Sequence, residues 1–271
     1  MDRVYSLFRA AGSKNLNSTR SNGRKVCCVR VFAALVLACA IVTPSHADND
    51  ENDADSLYYD PLESMNRGIF VFNRALDEMF FKPAARLYIN IVPEGGRVAV
   101  TNVINNLKTP VTLANDVLQG EKDRAQATIA RFMVNTVLGF GGIADVATDL
   151  GVPRHSEDFG QTAATYGVGG GPYLMLPFFG PSNVRDALGK FVDRFLDPLE
   201  YALENEASFA RSGVEGVDQR ARFLDVSEAM EKTSIDYYAS IRSVFSQNRQ
   251  FEIRNGVPEP ITDIYGDKPA K

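Results

Sequence analysis

The chain has 271 residues, of which 45% are hydrophobic and 23% charged, an ordinary globular composition with length for one large domain or two small ones. Its formal net charge of −5 becomes −11 if residues 1–47 are removed, because 22 basic residues then face 33 acidic ones. So acidic a chain is a poor partner for nucleic acid, or for anionic headgroups that attract a polybasic patch.

The first 47 residues predict a secretory signal peptide. Arg24, Lys25 and Arg30 precede an apolar run over residues 31–42, and a small-residue cleavage pattern ends at Ala47. The run has 12 residues, whereas a helix that spans a bilayer needs about 20. The pattern therefore favours a cleaved signal over a membrane anchor.

A second processing site competes with Ala47. Residues 36–39, Val-Leu-Ala-Cys, resemble a lipobox in which Cys39 would be lipidated and become the first residue. Two features count against it: the apolar core before Cys39 is short, and residues 40–42 are apolar where a lipoprotein usually begins a polar tether. Cleavage after Ala47 is favoured, and it leaves no cysteine for a disulfide, a zinc site or a thiol nucleophile.

The rest of the chain divides into a tether, a domain and a tail. Residues 48–57 are acidic and almost without apolar side chains, which predicts a disordered tether. Residues 58–255 have the patterning of the folded domain. Residues 256–271 are polar and contain proline, which predicts a flexible tail.

Helical periodicity runs through the domain, and no convincing β alternation interrupts it. Asp60 and Pro61 predict the N-cap and first turn of a helix that ends at Phe81. Proline predicts the start of a further segment at each of three positions, Pro83, Pro93 and Pro110. Other helices are predicted over residues 121–139, 182–196, 197–210, 214–232 and 234–250. The fold class predicted from this pattern is all-α.

Catalytic chemistry has little support in the sequence. Beyond the signal region the chain has one histidine, His155, and a lone loop histidine is expected at the surface. No nucleophile elbow, zinc-protease motif or P-loop is present, and Asp116, Asp145 and Asp149 fit no metal-loop pattern. We expect no enzyme activity, no metal and no cofactor.

Two helices are apolar around most of their circumference, over residues 69–81 and 129–142, as in a protein core or in contact with lipid. No run beyond residue 47 reaches the roughly 18 apolar residues of a spanning helix, so any lipid contact would be interfacial. Asn135 and Thr136 interrupt the second helix and need a partner or water. A polar channel would supply it, and so would a hydrogen bond to a neighbouring helix.

Four sequence blocks carry a resemblance to a known family. They are YDPLESMNRGIFVFNRALD, LQGEKDRAQATIARFMVNTVLGFGGIADVA, DFGQTAATYGVGGGPYLMLPFFGPSNVRD and, more loosely, RARFLDVSEAMEKTSIDYYASIRSVFSQNR. With these blocks in this order, residues 58–255 resemble the MlaA (VacJ) family of outer-membrane lipid-transport proteins.

The resemblance implies a ring-like bundle of short helices in the periplasmic leaflet of the outer membrane. Such proteins pass mislocalised phospholipids from the outer leaflet through a central polar channel to a soluble periplasmic carrier, MlaC, and bind trimeric porins. Family members are commonly lipoproteins, whereas the lipobox at Cys39 is marginal here. Without lipidation, anchoring would rest on the apolar helices and on partners.

Within this resemblance, the Gly/Pro-rich stretch over residues 165–186 is interpreted as a hairpin loop that gates a lipid path. The gate residues are taken to be Gly169, Gly170, Gly171, Pro172, Tyr173 and Pro177, in which the glycines supply joints and the prolines keep the apolar segment extended. Asn135 and Thr136 are the candidates for the channel lining. A loop packed against the helices is the alternative for the stretch.

Two other functions compete with lipid transport. A periplasmic helical scaffold could use the apolar helices to bind outer-membrane proteins, with no lipid path. A phospholipase would need a nucleophile and histidine pair, which the sequence does not show.

Overall fold

The computed structural model describes residues 60–257, which fold into helices and one short hairpin. The signal peptide, Cys39, the tether and the tail beyond residue 257 lie outside the described residues. The helices are α1 (Glu63–Leu76), α2 (Lys82–Ile91), α3 (Glu94–Gln119), α4 (Lys122–Val137), α5 (Val146–Asp149), α6 (Phe159–Thr165), α7 (Val184–Leu196), α8 (Leu199–Ala202), α9 (Asn205–Arg222), α10 (Leu224–Thr233) and α11 (Tyr237–Ile253); the strands are β1 (Tyr173–Leu176) and β2 (Gly180–Asn183). The predicted all-α class is confirmed.

A π-helical turn, Asp77–Phe81, joins α1 to α2 without a break. Pro83 lies in the first turn of α2, where its ring collides with the preceding turn of a regular helix, and the wider π turn gives it room. The start of α1 differs from the prediction. Leu62 is the N-cap, because the carboxylate of Asp60 instead accepts hydrogen bonds from Tyr238 and from Arg242 at 3.1 Å.

Three other helix boundaries were predicted wrongly. Pro110 does not begin a segment but lies inside α3, a helix of 26 residues. The predicted helix over 197–210 is interrupted by extended backbone at Leu203 and Glu204, where an Arg211–Asp197 ion pair of 2.7 Å folds α9 back on the turn before α8. The predicted helix over 214–232 is divided at Phe223, between α9 and α10. Tertiary contacts override helix propensity at such joints.

The hairpin is the one element of the described chain for which no β pattern was recognised. Strands β1 and β2 pair antiparallel, with Tyr173 opposite Asn183 and Leu176 opposite Gly180. Tyr173 and Met175 face inward, while Leu174 and Leu176 are half-buried on the other face. Because both faces of β1 are apolar, the period of two is hidden in the sequence.

Burial in this fold is inverted relative to that of a water-soluble domain. Within residues 60–257, sixteen polar or charged residues are buried and only eight hydrophobic ones. Large apolar side chains are exposed on most helices, and Phe140 and Phe209 reach 81% and 83% exposure. Buried polar groups are ordinarily the exception, and extended apolar surface ordinarily meets another apolar medium. Much of the outer face is therefore built for contact with something other than water.

An ion-pair network centred on Arg249 of α11 ties α6 and α7 together. Its guanidinium contacts Asp158, the N-cap of α6, at 2.7 Å and Asp186, in the first turn of α7, at 2.8 Å. Asp186 was expected to cap α7 together with Arg185. The cap is instead Asn183, whose side chain accepts from the amide of Asp186, and the Asp186 carboxylate is left to bind Arg249.

Substitution Arg249→Gln should destabilise the fold by about 3 kcal/mol, because Asp186 is buried and loses its main partner. The matched control is Arg194→Gln, which removes a pair with Glu200 in which Arg194 is 67% exposed and should cost less than about 1 kcal/mol. Urea unfolding of the detergent-solubilised protein measures both. Equal, small losses for the two variants would show that the Arg249 network does not hold the helices.

Candidate functional site: a polar cavity and a clamped hairpin

A polar cavity of about 70 Å³ lies among α3, α4 and the segment that follows α4. Helix α3 contributes one face, with amide and hydroxyl side chains that recur every three or four residues. Every lining residue carries a polar side chain: Asn102, Asn105, Asn106, Lys108, Thr109, Thr112, Thr128, Arg131, Asn135, Asp145, Arg154, His155 and Ser156. Such a cavity is suited to water or to a polar group of a ligand.

Asp145 is the centre of the cavity's hydrogen-bond network. It forms a bidentate pair with Arg131 at 2.6 and 2.7 Å, confirming the expected pairing, and accepts from Asn135 at 2.9 Å and from the Thr148 hydroxyl at 2.6 Å. Burial raises the pKa of this carboxyl, but the hydrogen bonds from Thr148, Asn135 and Arg131 outweigh burial and hold the pKa at about 2. Asp145 is therefore ionised and fully occupied by donors at neutral pH.

The two candidate channel residues occupy different positions. Asn135 borders the cavity, but its amide group is fully used: it donates to Asp145 and accepts from the backbone of Ala147 at 2.9 Å. Thr136 is exposed and does not line the cavity; its hydroxyl accepts from Asn106 at 3.1 Å. The structure thus brings Asn135 to a polar path and joins Thr136 to the path through Asn106.

His155 was predicted to lie at the surface, and this prediction is wrong. Its side chain is only 13% exposed, and Nε2 lies 3.0 and 3.1 Å from the two carboxylate oxygens of the fully buried Asp116. Thr128 completes the cluster by donating its hydroxyl to Asp116 at 2.6 Å. Because that proton points to the carboxylate and not to the imidazole, the histidine is not placed to activate the hydroxyl as a nucleophile. Within residues 60–257, no group of three or more His, Cys, Asp or Glu side chains could hold a metal ion.

Two asparagines of α1 clamp the hairpin. Asn66 donates to the carbonyl of Tyr173 at 3.0 Å and accepts from the amide of Met175 at 2.9 Å. One step further along, Asn73 donates to the carbonyl of Leu176 at 2.9 Å and accepts from the amide of Phe178 at 2.9 Å. Because the asparagines are seven residues apart, they lie on one face of α1, and each pairs with β1 as a neighbouring strand would.

The candidate gate residues belong to segments of different mobility. Tyr173 is buried, with Met175 and Tyr238, in a small core, while Pro172 and Pro177 flank β1. Gly171 has a positive φ of +68° and Gly170 lies close to the side chain of Asn183, whereas Gly169 is in open space without a positive φ. At the turn, Phe178 adopts a φ of +65°, rare for a bulky residue, and Phe178 and Phe179 are 69% and 73% exposed.

No helix in the described part of the chain combines the length and the hydropathy that crossing a membrane requires. The fold and the site together define a helical protein with an apolar exterior, a polar internal cavity and a hairpin fixed at its base. The comparisons with known proteins place this architecture in a family.

A family model described as MlaA lipoprotein matches residues 58–252. The intermembrane phospholipid transport system lipoprotein MlaA of Escherichia coli is 35% identical over 234 residues, which cover 84% of this chain and 91% of that protein. An uncharacterized protein of Rickettsia bellii is 38% identical, with coverage of 72% and 77%. A solved structure reported as "Structural basis for maintenance of bacterial outer membrane lipid asymmetry" superposes with a TM-score of 0.65 at 36% identity, and covers 72% of this chain and 98% of that one. The chain belongs to the MlaA family.

The sequence contained one signal for the cavity that was missed. Asn102, Asn105, Asn106, Thr109 and Thr112 recur along α3 at helical spacing, and polar side chains on a helix so rarely buried would have indicated a wet interior face. Arg154 was noticed only as a neighbour of His155. No sequence pattern shows that a single loop arginine reaches a cavity built by other helices.

Removing the Asp145 carboxylate should make stability less dependent on acid pH. Its pKa is depressed in the folded state, so the stabilisation is present above the unfolded value of 3.8 and is lost as pH falls towards 2. Substitution Asp145→Asn should therefore cost about 2 kcal/mol at pH 7, and the difference from the parent should vanish near pH 2. The measurement is the free energy of unfolding at pH 7, 4, 3 and 2. A difference that stays constant over this range would contradict the assignment.

Proposed function

We propose that this protein is an outer-membrane-associated component of phospholipid transport that removes mislocalised phospholipids from the outer leaflet. The observation that carries the proposal is the inverted burial, with sixteen buried polar residues beneath a largely apolar exterior. An acyl chain requires apolar surface and a headgroup requires a polar one, and this chain presents both. Membership in the MlaA family supports the same assignment.

The apolar exterior supports residence in the leaflet interface. Exposed apolar side chains of α4 and the turn after it form one continuous run in sequence: Ile129, Phe132, Met133, Val137, Leu138, Phe140 and Ile143. Exposed to water, such a surface would promote aggregation, whereas acyl chains satisfy it. The periplasmic face of the outer membrane is the location that this surface and the family suggest.

The polar cavity supports a headgroup path. Its lining alternates donors and acceptors from α3 and α4, and Asn135 lies on its wall. In a ring-like arrangement in the membrane, such a lining would let a headgroup pass while the acyl chains follow the apolar surface. The lipid would then reach a soluble periplasmic carrier of the MlaC type, and a trimeric porin would support the ring in the bilayer.

The hairpin supports a gate that is smaller than the whole Gly/Pro-rich stretch. Opening the segment from Pro172 to Phe179 as one body would break the four bonds to Asn66 and Asn73 and expose Tyr173 and Met175. The turn at residues 177–179 carries no such burden beyond the bonds of Asn73. We place the moving part of the gate at this turn, with Gly169 as the free joint behind it.

A helical scaffold that binds outer-membrane proteins without a lipid path is the second candidate function. The apolar exterior would serve it equally well. A wet cavity lined by thirteen polar residues would have no use in it, and this feature favours transport.

The absence of tryptophan from the chain allows a direct test of membrane residence. Single-tryptophan variants Phe140→Trp and Phe209→Trp should be quenched strongly by lipids brominated on the acyl chains, because both positions are exposed and apolar. The control is Tyr88→Trp, since Tyr88 is half-buried with its hydroxyl 3.2 Å from Asp218. The protein should also stay with outer membranes through a high-salt wash, since apolar insertion resists salt. Equal quenching at all three sites, or release by salt, would contradict residence in the lipid.

Transport itself is tested in cells by two changes at the gate. Asn73→Ala frees the turn by removing two hydrogen bonds, and Gly169→Ala stiffens the joint without strain. Both should alter the amount of phospholipid labelled from outside intact cells, while the amount and location of the protein stay normal. Gly213→Ala, a glycine in α9 with open space around it, is the matched control. Gly171→Ala is unsuitable, because its positive φ would add strain. Normal lipid asymmetry in both gate variants would contradict the gate.

A further inference from the structure

The polar cavity holds a cation that the protein does not neutralise. Asp145, the carboxylate among its lining residues, is saturated by Arg131, Asn135 and Thr148, and Lys108 is ion-paired with Glu215. Arg154 lines the same cavity, yet no hydrogen bond or ion pair joins its guanidinium to another residue between 60 and 257. Arginine in a cavity ordinarily meets a carboxylate or a phosphate, because its planar fork matches their oxygens.

A second unsatisfied donor lies on the opposite wall. The side-chain nitrogen of Asn105, on α3, is buried and has no hydrogen-bond partner. Buried donors are nearly always satisfied, so each exception calls for an explanation such as a bound group. Both open positions in this cavity are donors, and a ligand that fits them must present acceptors.

The local charge favours an anion. Burial lowers the pKa of the Arg154 guanidinium; the attraction of Asp145 opposes this effect, and the charges of Arg131 and Arg222 add to it. Arg131 already neutralises Asp145 through its bidentate pair. The positive charge of Arg154 is therefore left in excess, and a negatively charged ligand would relieve its repulsion by the other two arginines.

We propose that this cavity binds the phosphate of an anionic phospholipid headgroup, held by the Arg154 guanidinium and the Asn105 amide. The proposal rests on the proposed function, and it names the headgroup class that the cavity selects. A phosphate offers only acceptors and negative charge, and charge-assisted bonds from arginine to phosphate are among the strongest in proteins. A cavity of about 70 Å³ has room for a phosphate but not for acyl chains, which would remain on the apolar exterior.

The same geometry gives a preference among headgroups. A zwitterionic lipid such as phosphatidylcholine brings an ammonium group that needs a carboxylate, and the carboxylate that lines the cavity, Asp145, is already fully bonded. Phosphatidylglycerol brings no cation and leaves the charge of Arg154 compensated. Phosphatidylglycerol should therefore bind more tightly than phosphatidylcholine.

Native mass spectrometry of the full mature protein in detergent tests the site, with short-chain phosphatidylglycerol and phosphatidylcholine as probes. Arg154→Gln should weaken phosphatidylglycerol binding about tenfold, the size expected for one hydrogen bond to a charged group. Asn105→Leu, which removes the second donor, should weaken it about threefold. Arg194→Gln, at an exposed pair outside the cavity, should leave binding unchanged. Because Arg154 has no partner in the fold, unchanged urea unfolding of Arg154→Gln shows that the loss is local.

Three results would overturn the site: unchanged phosphatidylglycerol binding in both cavity variants, equal binding of the two lipids, or displacement of the lipid by glycerol 3-phosphate at equal concentration, which would indicate a site for free phosphate. The site and the proposed function fail separately. Arg154-dependent binding of phosphatidylglycerol supports the site even if cells that lack the protein keep normal lipid asymmetry, a result that would contradict transport. Arg154-independent binding overturns the site even if transport is confirmed.

Discussion

Because the interior of this protein is polar, its helices are held by hydrogen bonds and ion pairs that each join distant segments. Arg249 ties α11 to α6 and α7, and Asp60 ties the chain before α1 to Tyr238 and Arg242 of α11. Asp218 of α9 accepts from Tyr88 of α2 and from Thr101 of α3. Removing one partner leaves a buried charge or donor behind, so each contact contributes stability well beyond that of a surface pair. The apolar core beside these networks is small, with Tyr173, Met175 and Tyr238 at its centre.

This division of labour follows from the medium that the apolar exterior indicates. In lipid, apolar side chains gain little by packing against each other, because acyl chains are as apolar as leucine, and helices associate through close packing and polar contacts. A fold held by internal ion pairs can keep its structure while large apolar side chains face outward. The cavity uses the same chemistry as the networks and differs from them in one respect: two of its donors have no partner within residues 60–257.

Sequence periodicity predicted the all-α class and most helices, because amphipathic patterns survive even when the polar side is the buried one. The direction of that burial was not predictable from periodicity alone, since a moment gives a contrast between two faces and not the medium that each face meets. The same ambiguity explains His155, which a loop position and a polar neighbourhood placed at the surface, whereas it is buried against Asp116. Asn135 was identified as an oddity on an apolar helix, but its partners Asp145 and Ala147 are set by a turn that no pattern specifies.

The hairpin shows how a segment rich in glycine and proline can be both fixed and free. Its base is held from two sides, by Asn66 and Asn73 on α1 and by Arg185, whose backbone amide and side chain donate to the carbonyls of Gly170 and Val168 at 3.2 Å. These bonds confine motion to the turn, where Phe178 carries an unfavourable φ and is held by the single amide of Asn73. Strain of this kind persists only where the surrounding contacts impose it. The hydrogen bond between Asn73 and Phe178 is thus the contact whose loss would release the turn without disturbing the core at Tyr173.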